Sequence, residues 1–149
     1  MYRRILVPLD GSDLSERALQ PAFQLAEKFE AQVTLLRVIA VDESMVAAAG
    51  TGPQYLKLRD MREEREQAES ACYLQAIQGQ WRDSSVPVAS RVAVGAAPEM
   101  IVQVAEQCGA ELIVMSTHGR SGLNRFLYGS VAEAVLRGAQ MPLLLIPVK

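Results

Sequence analysis

The chain has 149 residues, half of them hydrophobic and 21% charged, with 15 Lys and Arg against 17 Asp and Glu for a net charge of −2. That balance suits one globular domain, residues 1–149, able to bury a core without disulfide or metal support, and it excludes a disordered chain. With no basic surplus, neither a nucleic acid nor an anionic membrane is expected as a partner.

Short apolar runs alternate with longer amphipathic ones along the chain. Ile5-Leu6-Val7-Pro8-Leu9 reads as a strand buried on both faces. A helix is expected to open at Asp13, with Asp13 as cap and Glu16 three residues on. Leu14, Ala18, Leu25, Ala26 and Phe29 trace its inner face. Residues 32–39, with Val33, Leu35, Leu36, Val38 and Ile39, form a second strand. Residues 42–54 are rich in small residues, Gly and Pro, and read as a loop.

A charged helix follows from Leu56 to about Gln80, its Arg62-Glu63-Glu64-Arg65-Glu66 run on a solvated face. Residues 87–94 alternate as a third strand. Pro98 suits the first turn of a further helix, with Met100, Ile101, Val104, Ala105 and Cys108 inward and Gly109 as its stop. Leu112-Ile113-Val114-Met115 is a fourth buried strand. After a glycine-bearing loop over residues 116–129, a helix runs from Ser130 to Gly138 and a fifth strand from Leu143 to Val148. Strands alternating with helices predict an α/β fold: a five-stranded parallel sheet with helices on both faces.

The two cysteines, Cys72 and Cys108, lack His or Cys companions at metal-ligand spacing. They exclude a disulfide framework and a zinc motif, fit a reducing compartment, and read as buried packing. No apolar run reaches the 18 or so residues that span a bilayer. The apolar stretch after Met1 ends at Asp10, too short for a signal peptide. A soluble, cytoplasmic protein is expected.

In an open parallel sheet, ligands bind beyond the carboxyl ends of the strands where strand order reverses. Two strand exits carry unusual residues. Pro8-Leu9-Asp10-Gly11-Ser12 follows the first strand; Ser116-Thr117-His118-Gly119-Arg120-Ser121-Gly122 follows the fourth and leads to Gly129-Ser130. Gly119 and Gly122 allow close approach of the main chain to an anion. Gly129-Ser130 opens a helix whose N-terminus offers free N–H donors and partial positive charge. Arg120 and Arg125 add charge, Ser130 can reach a phosphate oxygen or a hydrated Mg²⁺, and Asp10 can accept from a ribose or base.

Plainer roles fit some of these residues as well. Ser130-Val131-Ala132-Glu133 is also a capping box, and Asp10 beside Gly11-Ser12 also suits a turn. His118, the only histidine, has no evident catalytic partner and reads as a surface loop residue. A P-loop, a Gly-x-Gly-x-x-Gly after the first strand, a Gly-x-Ser-x-Gly nucleophile elbow and a metal-ligand cluster are all missing from the sequence. Binding is favoured over covalent catalysis.

With those residues in view, the chain resembles the universal stress protein family over essentially its whole length. Arg4-Ile5-Leu6-Val7-Pro8-Leu9-Asp10-Gly11-Ser12 is similar to the family's first strand and turn. Leu35-Leu36-Arg37-Val38-Ile39 is similar to its second strand, and Gly95-Ala96-Ala97-Pro98-Glu99-Met100-Ile101 with Leu112-Ile113-Val114-Met115 to its later half. The family's nucleotide signature is Gly-x2-Gly-x9-Gly-Ser/Thr. Gly119, nine residues and Gly129-Ser130 satisfy its second part, while Ser116 stands in place of its first glycine.

The resemblance implies a Rossmann-like (adenine nucleotide alpha hydrolase-like) sheet that binds ATP, with Mg²⁺, as a nucleotide-responsive stress protein and not a fast enzyme. Pro8, Asp10 and the main chain of Val38 are then expected at the ribose and adenine. Ser116, Gly119, Arg120, Gly122, Gly129, Ser130 and the N–H of Val131 are expected at the phosphates. Ser116 costs strain if its backbone needs a positive φ, and fits if the position only needs a small side chain, the reading we favour. The resemblance also implies a homodimer through the Leu143–Val148 strand, whose apolar edge has a physical motive to pair. The alternatives are a slow ATPase of the same family and a dimeric stress protein without nucleotide.

Overall fold

The computed structural model of the chain describes residues 1–41, 52–117 and 129–147. Its elements, in order, are β1 (Arg4–Leu9), α1 (Asp13–Glu16), α2 (Leu19–Phe29), β2 (Gln32–Ile39), α3 (Pro53–Gln80), β3 (Val88–Val94), α4 (Ala97–Gln107), β4 (Leu112–Thr117), α5 (Ser130–Gly138) and β5 (Leu143–Pro147). The strands form one sheet in the order β3-β2-β1-β4-β5, every neighbouring pair parallel. The expected α/β architecture is the one observed.

The central strands are apolar on both faces because helices cover both faces. Ile5, Val7, Leu9, Val33, Leu35 and Val114 pack with Phe23, Leu74 and Ile77 from α2 and α3. On the other face, Leu6, Leu36, Ile113 and Met115 pack with Ile101, Val104 and Ala105 of α4 and Ala132 and Val135 of α5. Phe23 is fully buried and stacks on Trp81, ring centroids 4.0 Å apart and 9° from parallel. Strand order runs outward in both directions from the β1–β4 pair, so the chain reverses direction across the sheet there. β1 pairs with β2 along six residues, but with β4 only at Ile5–Leu112 and Leu6–Ile113. The sheet therefore opens at the carboxyl ends of β1 and β4.

The structure corrects the sequence reading in several places. The helix expected from Asp13 onward is two helices, broken at Arg17 and Ala18, whose amides turn to Leu14 and Ser15 carbonyls three residues back. Pro21 is the physical reason: it has no N–H for the Arg17 carbonyl, and its ring would crowd that carbonyl in a continuous helix. The cap of α1 is Ser12 and not Asp13; the Ser12 hydroxyl accepts from the Ser15 amide at 3.2 Å. α3 begins at Pro53, inside the expected loop, because Pro at the first turn helps to start a helix. Cys72 is exposed on α3 and Cys108 is half-buried, so neither is fully buried packing. The rest of the 42–54 loop through residue 51, residues 118–128 and Val148 lie outside the described residues.

Candidate functional site

A cavity of about 540 Å³ occupies the opening between the carboxyl ends of β1 and β4, a volume typical of small-molecule sites. Pro8, Leu9 and Asp10 at the exit of β1 form one wall, with Ser15 of α1 behind them. Leu36, Arg37 and Val38 of β2 and Ala97 and Ile101 of α4 line another part. Met115 and Ser116 of β4 and the first turn of α5, from Gly129 to Glu133, line the opposite wall. The described sequence-predicted residues, Pro8, Asp10, Val38, Ser116, Gly129, Ser130 and Val131, all come together here. Gly119, Arg120 and Gly122, as well as His118 and Arg125, lie outside the described residues.

At the β1 exit, Gly11 takes a φ of +86°, a turn conformation that suits glycine, and carries the chain from β1 into α1. The turn is held from within. The Ser12 amide donates to Asp10 Oδ1 at 2.8 Å, the Ser12 hydroxyl donates to the same oxygen, and the Asp10 amide donates to Ser15 Oγ at 3.3 Å. Partial burial acts to raise the Asp10 pKa, but the Ser12 hydroxyl and amide, Ser15 and the charge of Arg37 together bring it below the ordinary carboxylate value. Asp10 is thus an ionised acceptor at neutral pH on the cavity wall.

On the opposite wall, the capping box that the sequence also allowed at Ser130 does not form. Gly129 is the N-cap, with φ −46° and ψ 149° and no side-chain cap bond; Ser130 is the first helical residue. The Glu133 carboxylate turns to Arg137 on the next turn, and the Glu133 amide makes the first helical bond, 3.0 Å to the Gly129 carbonyl. The amides of the first turn and the Ser130 hydroxyl are therefore not used by a cap. A helix N-terminus of this kind offers several N–H donors and partial positive charge to an anion.

Ser116 lies within β4 and pairs with Ile146. Among the described non-glycine residues only Glu30 has a positive φ, so Ser116 sits in ordinary extended backbone. The strain that a positive φ would impose on serine is therefore absent at this position. No group of three or more His, Cys, Asp or Glu that could hold a metal exists among the described residues.

Sequence reasoning missed Arg37, Ser15 and the α4 contribution. Arg37 carried a legible signal: it is the charged residue in the otherwise apolar carboxyl half of β2. Its guanidinium reaches over the β1 turn, where a Cβ on Gly11 would lie 3.9 Å from Nη2, and its Nη1 donates to the Val38 carbonyl at 3.5 Å. Ala97 and Ile101 carried none, because their place at the cavity depends on the sheet order.

The family model described as the universal stress protein family matches residues 1–147 of the chain. Universal stress protein MJ0531 of Methanocaldococcus jannaschii is 34% identical, over 98% of this chain and 82% of its own length. The solved structure of protein MJ0577, from the same organism, superposes with a TM-score of 0.74 at 27% identity, covering 100% of this chain and 98% of that one. A universal stress protein solved in complex with cAMP gives a TM-score of 0.63 at 25% identity, covering 99% of this chain and 98% of that one. Together with the sheet order and the cavity at its reversal point, these matches establish that the chain belongs to the universal stress protein family.

Proposed function

We propose that the chain binds an adenine nucleotide, ATP with Mg²⁺, in the cavity between β1 and β4, and acts as a nucleotide-responsive stress protein and not as a fast enzyme. The observation that carries this reading is the first turn of α5: a glycine-capped helix N-terminus, without a side-chain cap bond, lining a cavity across from an ionised carboxylate. In this reading the α5 amides and Ser130 hold the phosphates, with Gly119, Arg120 and Gly122 completing the cradle. Asp10 accepts from the ribose, and the main chain of Val38, beside Pro8, reads the adenine edge. Mg²⁺ is held chiefly by phosphate oxygens and water, as is usual for this ion, with the Ser130 hydroxyl as its protein neighbour. The cAMP-bound relative supports the adenine part of the ligand.

Two carboxylates among the described residues line the cavity, Asp10 and Glu133; Asp10 is already hydrogen-bonded by Ser12 and Glu133 is paired with Arg137, so each is poorly suited to activating water. The protein acts in the cytoplasm, as a homodimer through the apolar β5 edge. No helix among the described residues is long and apolar enough to cross a membrane.

Calorimetric titration with ATP, ADP, AMP and cAMP tests the binding. Wild type is expected to bind ATP most tightly. Asp10→Ala is expected to weaken every adenosine ligand by about tenfold, the equivalent of one lost charged hydrogen bond. Gly119→Val is expected to weaken ATP selectively, by placing a branched side chain in the phosphate cradle. No heat of binding at millimolar ATP, or a preference for cAMP over ATP, contradicts the reading.

A further inference from the structure

Tyr73 stands on the inner side of α3 with Ser70, Leu74 and Ile77, the buried residues of that helix. Its ring packs against the core that α2 and α3 share with the sheet. Its hydroxyl leaves that core: Tyr73 Oη donates to Glu16 Oε1 of α1 at 2.9 Å. A tyrosine with a buried ring and a polar tip needs such a partner. The bond joins residues 57 apart in sequence, and among the described residues it is the only side-chain hydrogen bond from α1 to another helix or strand. Burial first, then the bond to Glu16 and the negative charges of Glu16 and Asp10, hold the phenol above its ordinary pKa, so it donates at neutral pH.

α1 has four residues, too few to hold a helical turn without ties to its surroundings. It nevertheless carries the bonds that place Asp10. The Ser15 hydroxyl donates to the Ser12 carbonyl at 2.8 Å and accepts from the Asp10 amide at 3.3 Å, and Ser12 in turn donates to Asp10 Oδ1. Glu16 is the residue next to Ser15, so the tie from α3 enters α1 beside those bonds. Tyr73 itself does not line the cavity.

We propose that Tyr73 is a positioning residue for this cavity: through Glu16 it anchors α1, and with α1 the Asp10 carboxylate, where a ribose hydroxyl is received. This role rests on the nucleotide reading above and adds a residue outside the cavity on which the ribose contact depends. A side chain that meets a ligand keeps its geometry only where its neighbours' hydrogen bonds hold it, and Tyr73 supplies such a bond from a distant element. Tyr73→Phe separates this role from packing, because it keeps the ring and removes only the hydroxyl. A general loosening of the fold would weaken every nucleotide alike, whereas a displaced Asp10 weakens only ligands that offer it a hydroxyl.

Calorimetric titration of the full chain with Mg²⁺-ATP and with Mg²⁺-2′,3′-dideoxy-ATP is the test. Tyr73→Phe is expected to weaken ATP about fivefold, the order of one lost hydrogen bond. The same variant is expected to bind 2′,3′-dideoxy-ATP, which has no ribose hydroxyl for Asp10, within about twofold of wild type. Glu16→Ala is expected to repeat that pattern, and the double variant to lose no more than either single one, as the two partners of one bond should. In the ligand-free protein, Tyr73→Phe is expected to move the amide resonances of Ser12 and Ser15 and not those of β5. When wild type binds ATP, any one of three results overturns the role of Tyr73 and leaves the nucleotide reading standing: no loss or equal losses for the two ligands, additive losses in the double variant, or unmoved Ser12 and Ser15 amides. Absence of ATP binding by wild type overturns both.

Discussion

Asp10 has a structural role in the β1 turn and, in the proposed function, a binding role beside it. Ser12 and Ser15 hydrogen-bond the carboxylate and Arg37 adds charge, so Asp10 is held ionised, the state the proposed ribose acceptor needs. Its depressed pKa makes a pH-dependent contribution to stability with a defined sign. The contribution is present above the ordinary value of 3.8 and is lost as pH falls through the lower folded-state value. Denaturant unfolding measured from pH 6 down to pH 3 is expected to show a smaller acid loss of stability in Asp10→Asn than in wild type. Equal slopes would mean that Asp10 is not held as described. Of the two roles open to Ser130 in the sequence, the structure removes the cap, because the chain places Gly129 and not Ser130 at the capping position. For Ser116 the sequence favoured the reading without backbone strain, and its extended backbone in β4 agrees with that part of it.

At the scale of elements, the apolar strands were the most legible. β2 and α5 have the boundaries their residue patterns predict, because a doubly covered strand and a one-faced helix each leave an unambiguous period. The break between α1 and α2 was missed although its cause, Pro21, is in the sequence: the apolar spacing ran on past it. The α3 start is hidden for the opposite reason: Gly52-Pro53 carries the signature of a loop in sequence and is a helix beginning in the structure. The two edges of the sheet differ. β3 exposes Ser90 and Arg91, while β5 presents Leu143, Leu144, Leu145 and Ile146, all half-buried. An unpaired apolar edge invites a partner strand. If β5 pairs as proposed, amide exchange is expected to show protection of both its inward and its outward amides at high protein concentration. Protection of only the amides facing β4 would leave the β5 pairing without support.

At the scale of the molecule, one topological fact organises the rest. The reversal of strand order at β1 and β4 opens the sheet, and the turn after β1 and the start of α5 then face each other across the gap. The sequence contained both walls as separate motifs, Asp10-Gly11-Ser12 and Gly129-Ser130, and the general rule for open parallel sheets joined them. Of the third wall, Val38 of β2 came only through the family resemblance, and Arg37 and the α4 residues were missed, because their place depends on which strands become neighbours.

The central claim is that the first turn of α5 is a phosphate seat facing Asp10. Backbone amide NMR of the full chain titrated with Mg²⁺-ATP tests this most directly. The account predicts that, among the described residues, the largest shifts fall on Ser130, Val131 and Ala132, with a second group at Asp10 and Val38 and little change along β3 or the outer face of α3. Saturable shifts that leave α5 and Asp10 untouched, or no shifts at millimolar nucleotide, would contradict it.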